Sequence, residues 1–282
     1  MPLPTSPDPL TIPIGERAEL EALAIRLAEE AGALVRDQRP DRLGVQQTKS
    51  TDLDVVTVMD QRSEQLLRER LAELRPDDGV LGEEEGVTAG SSGLTWVVDP
   101  IDGTVNYLYD LPGYAVSVAV VVGDPTVEGA WAPVAGAVHV PRTGETFHAH
   151  AGGGARVRLA GGLCGELSVS DVADLGATLV ATGFAYDREV RVGQAEIVAR
   201  LLPQVRDIRR LGAAAVDLCH VAAGRVDVYY ERGCHAWDIA AGMLCVTEAG
   251  GVVTGASREQ PPGESLVVAG GRGAHQTLLE HL

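Results

Sequence analysis

Trp96-Val97-Val98-Asp99-Pro100-Ile101-Asp102-Gly103-Thr104-Val105-Asn106 is the stretch whose reading decides the fold. Apolar residues of high β propensity run straight into an acidic turn, the pattern of a buried strand that delivers two carboxylates to its own end. Pro100 has no N–H and a fixed φ, so the strand ladder is expected to stop there. Gly103 permits a sharp bend, and Thr104 is placed to open a short helix. Two acids three residues apart, at a strand end and beside a helix start, suit a hard cation together with a phosphate. An Asp-x-x-Asp-Gly run also serves as an ordinary turn, so the flanking sequence has to decide between the two readings.

Working outward, Val80-Leu81-Gly82-Glu83-Glu84-Glu85 repeats the design of an apolar strand tipped with acids. The two tips can lie side by side, with Glu83, first after the glycine, pointing into a shared site. Upstream, Val45 to Thr57 begins as a possible strand and ends in a polar loop that carries Lys49 and an acid cluster; such a loop is also what a solvated surface looks like. Asp60 is read as the N-cap of a helix over 61–74 whose Leu66, Leu67, Leu71 and Leu74 form the buried side. Far downstream, Glu231 ends a strand and Asp238 opens an Ala-rich helix, a position the helix dipole favours for an acid with or without a function.

The chain has 282 residues, a formal net charge of −17, 45% hydrophobic and 4% aromatic residues. That length supports a large core. The acidity excludes phosphate-backbone binding as the main activity, yet it is compatible with a phosphorylated substrate if a divalent metal sits between acid and phosphate. Cys164, Cys219, Cys234 and Cys245 have no metal-like spacing and read as thiols of a reducing compartment. No apolar run reaches the roughly 18 residues of a membrane span, so the expectation is a cytoplasmic protein.

Residues 1–12 hold four prolines and read as a flexible tail. Residues 13–282 read as a single domain in two halves, 13–160 and 161–282, with a composition shift near Leu159 to Glu166. Leu20, Leu23, Ala24, Leu27 and Ala31 mark an amphipathic first helix between Glu16 and Arg36. Strands follow at 114–122, 129–140 and 145–148, and the Ala151–Ala155 glycine run reads as a hairpin turn without phosphate chemistry. His139, His148 and His150 have no acid partner in the local sequence, which makes them structural residues on strand faces. The second half alternates strands at 177–182, 226–230, 252–254 and 266–269 with helices at 191–202, 213–223, 237–249 and 275–282, the pattern of an α/β layer.

D-P-I-D-G-T at 99–104, G-E-E at 82–84, the Lys49–Asp54 loop and W-D-I-A-A-G at 237–242 together resemble the inositol monophosphatase family, most of all its bacterial inositol-1-monophosphatases. The resemblance covers nearly the whole chain, with the blocks in family order. It implies a layered α/β/α/β/α (α+β) sugar-phosphatase fold and Mg²⁺-dependent hydrolysis of a phosphomonoester. By position, Glu83, Asp99 and the Ile101 carbonyl would hold one Mg²⁺. Asp99, Asp102 and Asp238 would hold a second, and the family implies two or three ions with Li⁺ as an inhibitor. Glu83 and Thr104 match positions that orient and deprotonate the attacking water, and Asp54 is expected to orient Thr104. Gly103 and Thr104 would offer backbone N–H groups to the phosphate. Gly212, Ala214 and Glu231 match positions that line the alcohol pocket, and Lys49 would support the metal-site loop.

The partner implied is a small phosphorylated polyol, inositol 1-phosphate first, with no nucleic acid and no membrane; a homodimer is typical of the family. Histidinol phosphate and fructose bisphosphate are the alternative substrates, because fold does not fix substrate. A regulatory or binding protein that keeps the fold is the alternative of another class. Three departures stand out: Val105 for a usual threonine, Tyr107 for a common phenylalanine, and Asp52 for a common proline, which adds charge near Lys49.

Overall fold

Both faces of the Trp96–Asp102 strand are apolar, so both have to be covered, and the fold is the solution to that requirement. The computed structural model describes residues 6–41, 43–49 and 55–282. The first part runs α1 (Ile14–Asp37), β1 (Gln47–Thr48), β2 (Val55–Val56), α2 (Val58–Leu74), β3 (Gly79–Gly82), β4 (Gly86–Thr88), β5 (Leu94–Asp102) and α3 (Thr104–Leu108). It continues through β6 (Ala115–Gly123), β7 (Trp131–Val140), β8 (Glu145–His150), β9 (Ala155–Arg158) and β10 (Cys164–Glu166). The second part runs β11 (Leu179–Thr182), α4 (Arg188–Leu201), β12 (Asp207–Arg209), α5 (Ala214–Ala222) and β13 (Val228–Glu231). It ends with α6 (Ala236–Glu248), β14 (Val252–Thr254), β15 (Val267–Gly270) and α7 (Arg272–Leu279).

An eight-stranded sheet has the order β10-β9-β8-β7-β6-β5-β3-β4, and a five-stranded sheet the order β12-β11-β13-β15-β14. Helices α1 and α2 cover one face of the larger sheet, packing on Trp96, Val98, Val116, Val118 and Val120. The alternate residues Ala119 and Val121 face the other way, toward α5 and α6, which also receive Ala181, Tyr229, Val267 and Ala269 of the smaller sheet. The far face of that sheet, with Val180, Val228 and Val268, is closed by Leu201 of α4 and Leu278 of α7. The layers are therefore α/β/α/β/α, and the period-2 alternation of each strand serves two cores at once. Among the described residues no helix is long and apolar enough to cross a membrane.

Several local expectations change. Pro100 interrupts the β5–β6 ladder without ending it: pairing shifts register after Asp99↔Ser117 and resumes at Asp102↔Ala115. Helix α2 starts three residues early, capped by Thr57, whose hydroxyl accepts the Met59 N–H at 3.1 Å, while Asp60 accepts the Thr57 N–H at 2.8 Å. Asp60 is thus the third residue of a capping box and not the cap itself. Leu74, the last residue of α2, is exposed. The described part of the 1–12 tail is tied down, with the Ser6 hydroxyl donating to the Trp131 carbonyl at 2.7 Å and a short 3-10 turn at Pro9–Thr11. The β10 strand lies beyond the expected junction at 160, yet pairs antiparallel with β9 and so belongs to the larger sheet. The short β12 strand has no apolar signature, because Asp207-Ile208-Arg209 is polar and lies at a sheet edge.

His148 and His150 do have an acid partner, brought by α1. Glu21 is buried and accepts from His148 Nδ1 at 2.6 Å and from His150 Nδ1 at 2.5 Å, and His139 Nδ1 bonds Thr146 Oγ1 at 2.9 Å. Burial opposes ionisation of Glu21, but the hydrogen bonds and charge of the two imidazoles outweigh it and hold the carboxyl below its ordinary 4.5. A depressed carboxyl stabilises the fold above its unfolded pKa and loses that contribution as pH falls through the folded value. Glu21→Ala is therefore expected to cost about 3 kcal/mol in urea unfolding at neutral pH, with the gap to wild type closing between about pH 5 and pH 3. A gap of the same size at both ends of that range contradicts the ionised pairing.

Candidate metal centre

The parallel pairing of β3 with β5 places Gly82 opposite Val98, so Glu83 emerges beside Asp99. Asp99 sits in the register shift and its Oδ1 accepts the Ile101 N–H at 3.0 Å. Asp102 reaches across to the other half: its two oxygens accept the Ala214 and Ala215 N–H groups at 3.2 and 2.7 Å, at the start of α5. Those are donors that a helix leaves unsatisfied, and an anion there is favoured by the dipole as well. Asp238, third residue of α6, accepts the His235 N–H at 2.6 Å. One carboxylate oxygen from each of Asp99, Asp102 and Asp238 lies within 4.8 Å of the others. Glu83 and Glu84 are bridged by Lys49 Nζ at 2.8 and 2.7 Å.

Such a cluster is electrostatically unfavourable by itself. Burial first, then the charges of Glu83, Asp102 and Asp238, push the Asp99 carboxyl well above its usual range; burial and Asp238 do the same to Asp102. Burial raises Glu83 to about 7, against the opposing pull of Lys49. Lys49 itself is held charged because the two glutamates outweigh its own desolvation. An all-oxygen donor set under this strain fits a hard divalent cation, which would replace mutual repulsion with coordination.

Gly103 bends the chain at φ +87°, and a Cβ there would stand 2.9 Å from the Gly113 carbonyl and 3.1 Å from that of Gly212, so only glycine fits. Asn106 fastens the same turn by donating to the carbonyls of Gly113 and Leu211 at 2.5 and 2.7 Å. The Thr104 hydroxyl lies 3.0 Å from both Asp60 Oδ1 and the Ile101 carbonyl. Asp54, expected to orient Thr104, lies outside the described residues, as does Asp52. The acid found at that hydroxyl is Asp60, which local sequence presents only as a helix-start residue. Burial raises the Asp60 carboxyl to about 6, against hydrogen bonds from Thr57 and Thr104.

Glu231 ends β13 and receives the Tyr229 hydroxyl at 2.6 Å; burial is the main reason its carboxyl rises to about 7. Gly212 abuts the Gly103 turn, and Ala214 joins the same surface through Asp102. Arg210 carries no local sequence signal for this region, yet its guanidinium lies 6.0 Å from the Phe184 ring and its charge acts on Glu231. The pairing of Tyr229 with Glu231 is written in the strand pattern, since residues two apart on a strand share a face.

A sequence model of the inositol monophosphatase family matches residues 16–282. The chain belongs to the inositol monophosphatase family. It is 44% identical over 289 residues to an inositol-1-monophosphatase of Mycobacterium leprae, covering 97% of this chain and 96% of that protein. The solved structure of Mycobacterium tuberculosis SuhB is similar at 43% identity with a TM-score of 0.79, covering 94% of this chain and 96% of that one. A protein named Nus factor SuhB from Pasteurella multocida is 39% identical over 233 residues, covering 82% of this chain and 83% of its own. As a member of this family the chain has a metal-dependent phosphatase fold, and its acidic cluster is placed to hold metal.

A cation that binds only the folded state stabilises it by about 2.7 kcal/mol at a hundredfold excess over Kd. Excess Mg²⁺ is thus expected to raise the melting temperature by about 5 °C over an EDTA control. Scanning calorimetry that shows the same melting temperature in both would contradict cation binding at the cluster.

Proposed function

We propose that this protein is a Mg²⁺-dependent phosphomonoesterase that hydrolyses inositol 1-phosphate to inositol and phosphate. What carries the reading is the meeting of Asp99, Asp102 and Asp238 within 4.8 Å, with Glu83 beside them and a polyol-type acceptor, Glu231, at the end of β13 in the smaller sheet. In this reading Glu83, Asp99 and the Ile101 carbonyl would hold one Mg²⁺, while Asp99, Asp102 and Asp238 would hold another. Bound Mg²⁺ would neutralise phosphate charge and stabilise attacking and leaving oxygens.

The chain's own groups supply the rest. The Thr104 hydroxyl donates a hydrogen bond to Asp60, which leaves its oxygen lone pairs free to orient a water, and Glu83 takes that water's proton. The water oxygen forms its bond to phosphorus as the phosphorus–alcohol oxygen bond breaks in line, and the departing alkoxide takes a proton from solvent. Backbone N–H groups of Gly103 and Thr104 face the phosphate oxygens. Ionised acceptors make the stronger hydrogen bonds to hydroxyls, so Glu231 favours a neutral polyol. Lys49 holds Glu83 and Glu84 on the loop side of the site. The assembly proposed is a homodimer, which light scattering checks.

A phosphate-release panel with Mg²⁺ tests the proposal: inositol 1-phosphate is expected to give a higher kcat/KM than histidinol phosphate or fructose 1,6-bisphosphate. Preference for either of the latter replaces the substrate and keeps the metal chemistry. The name Nus factor SuhB on a 39% identical relative favours a regulatory role as the second reading, which an absence of turnover on every substrate would support. Asp99→Asn is expected to lower kcat by at least about 100-fold, without lowering the melting temperature in EDTA, since one of several crowded charges is removed. Millimolar Li⁺ is expected to inhibit turnover, and unchanged rates would remove that part of the reading.

A further inference from the structure

Helix α2 carries Asp60, Ser63, Glu64 and Arg68 toward the metal centre, and Glu64 has no place in the chemistry above. Its side chain is fully buried, a position at which a carboxylate persists only with a full set of partners. It has them. Oε2 accepts the Glu84 N–H at 2.8 Å; Oε1 accepts the Glu85 N–H at 2.9 Å and Arg68 Nε at 2.8 Å. Arg68 then spans the β3–β4 hairpin, donating to the Gly86 carbonyl at 2.6 Å and to Thr88 Oγ1 at 3.1 Å.

The hairpin loop consists of Glu83, Glu84 and Glu85, between the paired residues Gly82 and Gly86. Three adjacent glutamates repel one another, so the loop has no internal reason to hold one conformation. The Glu64 carboxylate supplies that reason by binding two consecutive peptide N–H groups, which sets the direction of both peptide planes and hence of the residue before them. The fit is close: a Cβ on Gly82 would fall 2.2 Å from Glu64 Oε1, so glycine at 82 is what lets the carboxylate lie under the loop.

We propose that Glu64 is a positioning residue of the metal centre, its carboxylate fixing the Glu83–Glu85 loop so that Glu83 is aimed at the cation. The inference rests on the reading of Glu83 as a metal ligand. Glu64→Gln keeps the shape but turns an amide N–H₂ toward a peptide N–H, which releases one anchor of the loop. Groups that orient metal ligands typically lower affinity by about 10–100-fold when altered. Calorimetric titration of the full chain with Mn²⁺, which needs no turnover, is expected to show at least about tenfold weaker binding in Glu64→Gln. The Mg²⁺ concentration for half-maximal activity is expected to rise in parallel, with substrate KM at saturating Mg²⁺ within about twofold of wild type.

Mn²⁺ affinity within about twofold of wild type, whatever the change in melting temperature, overturns the positioning role and leaves the metal reading intact. A wild-type chain that takes up no Mn²⁺ overturns both. Gly82→Ala drives a methyl group against the same carboxylate from the other side, and it carries the identical titration if Glu64→Gln does not fold. Retained affinity there, in folded protein, counts equally against the proposal.

Discussion

The constraint on which this structure depends is the confinement of several carboxylates in one buried place. Asp99, Asp102 and Asp238 would separate if free, and each is held by a backbone donor: Ile101, the first N–H groups of α5, and His235. The bonds from Asp102 to α5 matter most for the architecture, because they join the end of the larger sheet to a helix of the second half. A carboxylate at a helix start is stabilised by unsatisfied N–H groups, so the repulsion at the centre is partly offset by the dipole of a helix that also fills the middle layer. Lys49 performs the same service for Glu83 and Glu84.

Helix α2 is the second support. Asp60 meets Thr104, Ser63 donates to the Pro100 carbonyl at 3.0 Å, and Glu64 takes the loop after β3. Positions 60 and 64 are one helical turn apart and lie on one face, so a single rigid rod touches both acid-tipped strands and the turn that follows β5. Rigid support of this kind is what coordination chemistry asks of a protein, because ligand distances tolerate little error. The same helix therefore does two jobs, closing a core through Leu67 and Leu71 and ordering a polar site through its other side.

Legibility in the sequence followed contiguity. Asp99, Asp102, Gly103 and Thr104 fall in one run, so their meeting could be read from a strand ending in a turn. Glu83 and Asp238 were readable as acids at the ends of apolar elements, and the family resemblance linked them. Asp60 was readable only as a helix-start residue, since a capping box explains an acid there without reference to Thr104, more than forty positions on. The acid partner of His148 and His150 was not readable at all, because Glu21 lies on a helix whose face toward β8 is set by packing. The burial of Glu64 was equally hidden: in an amphipathic helix a glutamate beside an arginine four positions on reads as a surface pair.

By itself, the sequence determined the alternation of elements, the apolar strands covered on both faces and the acid-bearing tips, because periodicity and turn chemistry act over a few residues and are written locally. Tertiary structure alone decided which tips meet, which acid reaches the Thr104 hydroxyl, and which carboxylates become neighbours instead of solvated charges. The physical reason is that a carboxylate's energy is set by its burial and by the charges and donors around it. Those arrive from segments as far apart as α1 and β8, or β5 and α5, and only once the layers have closed.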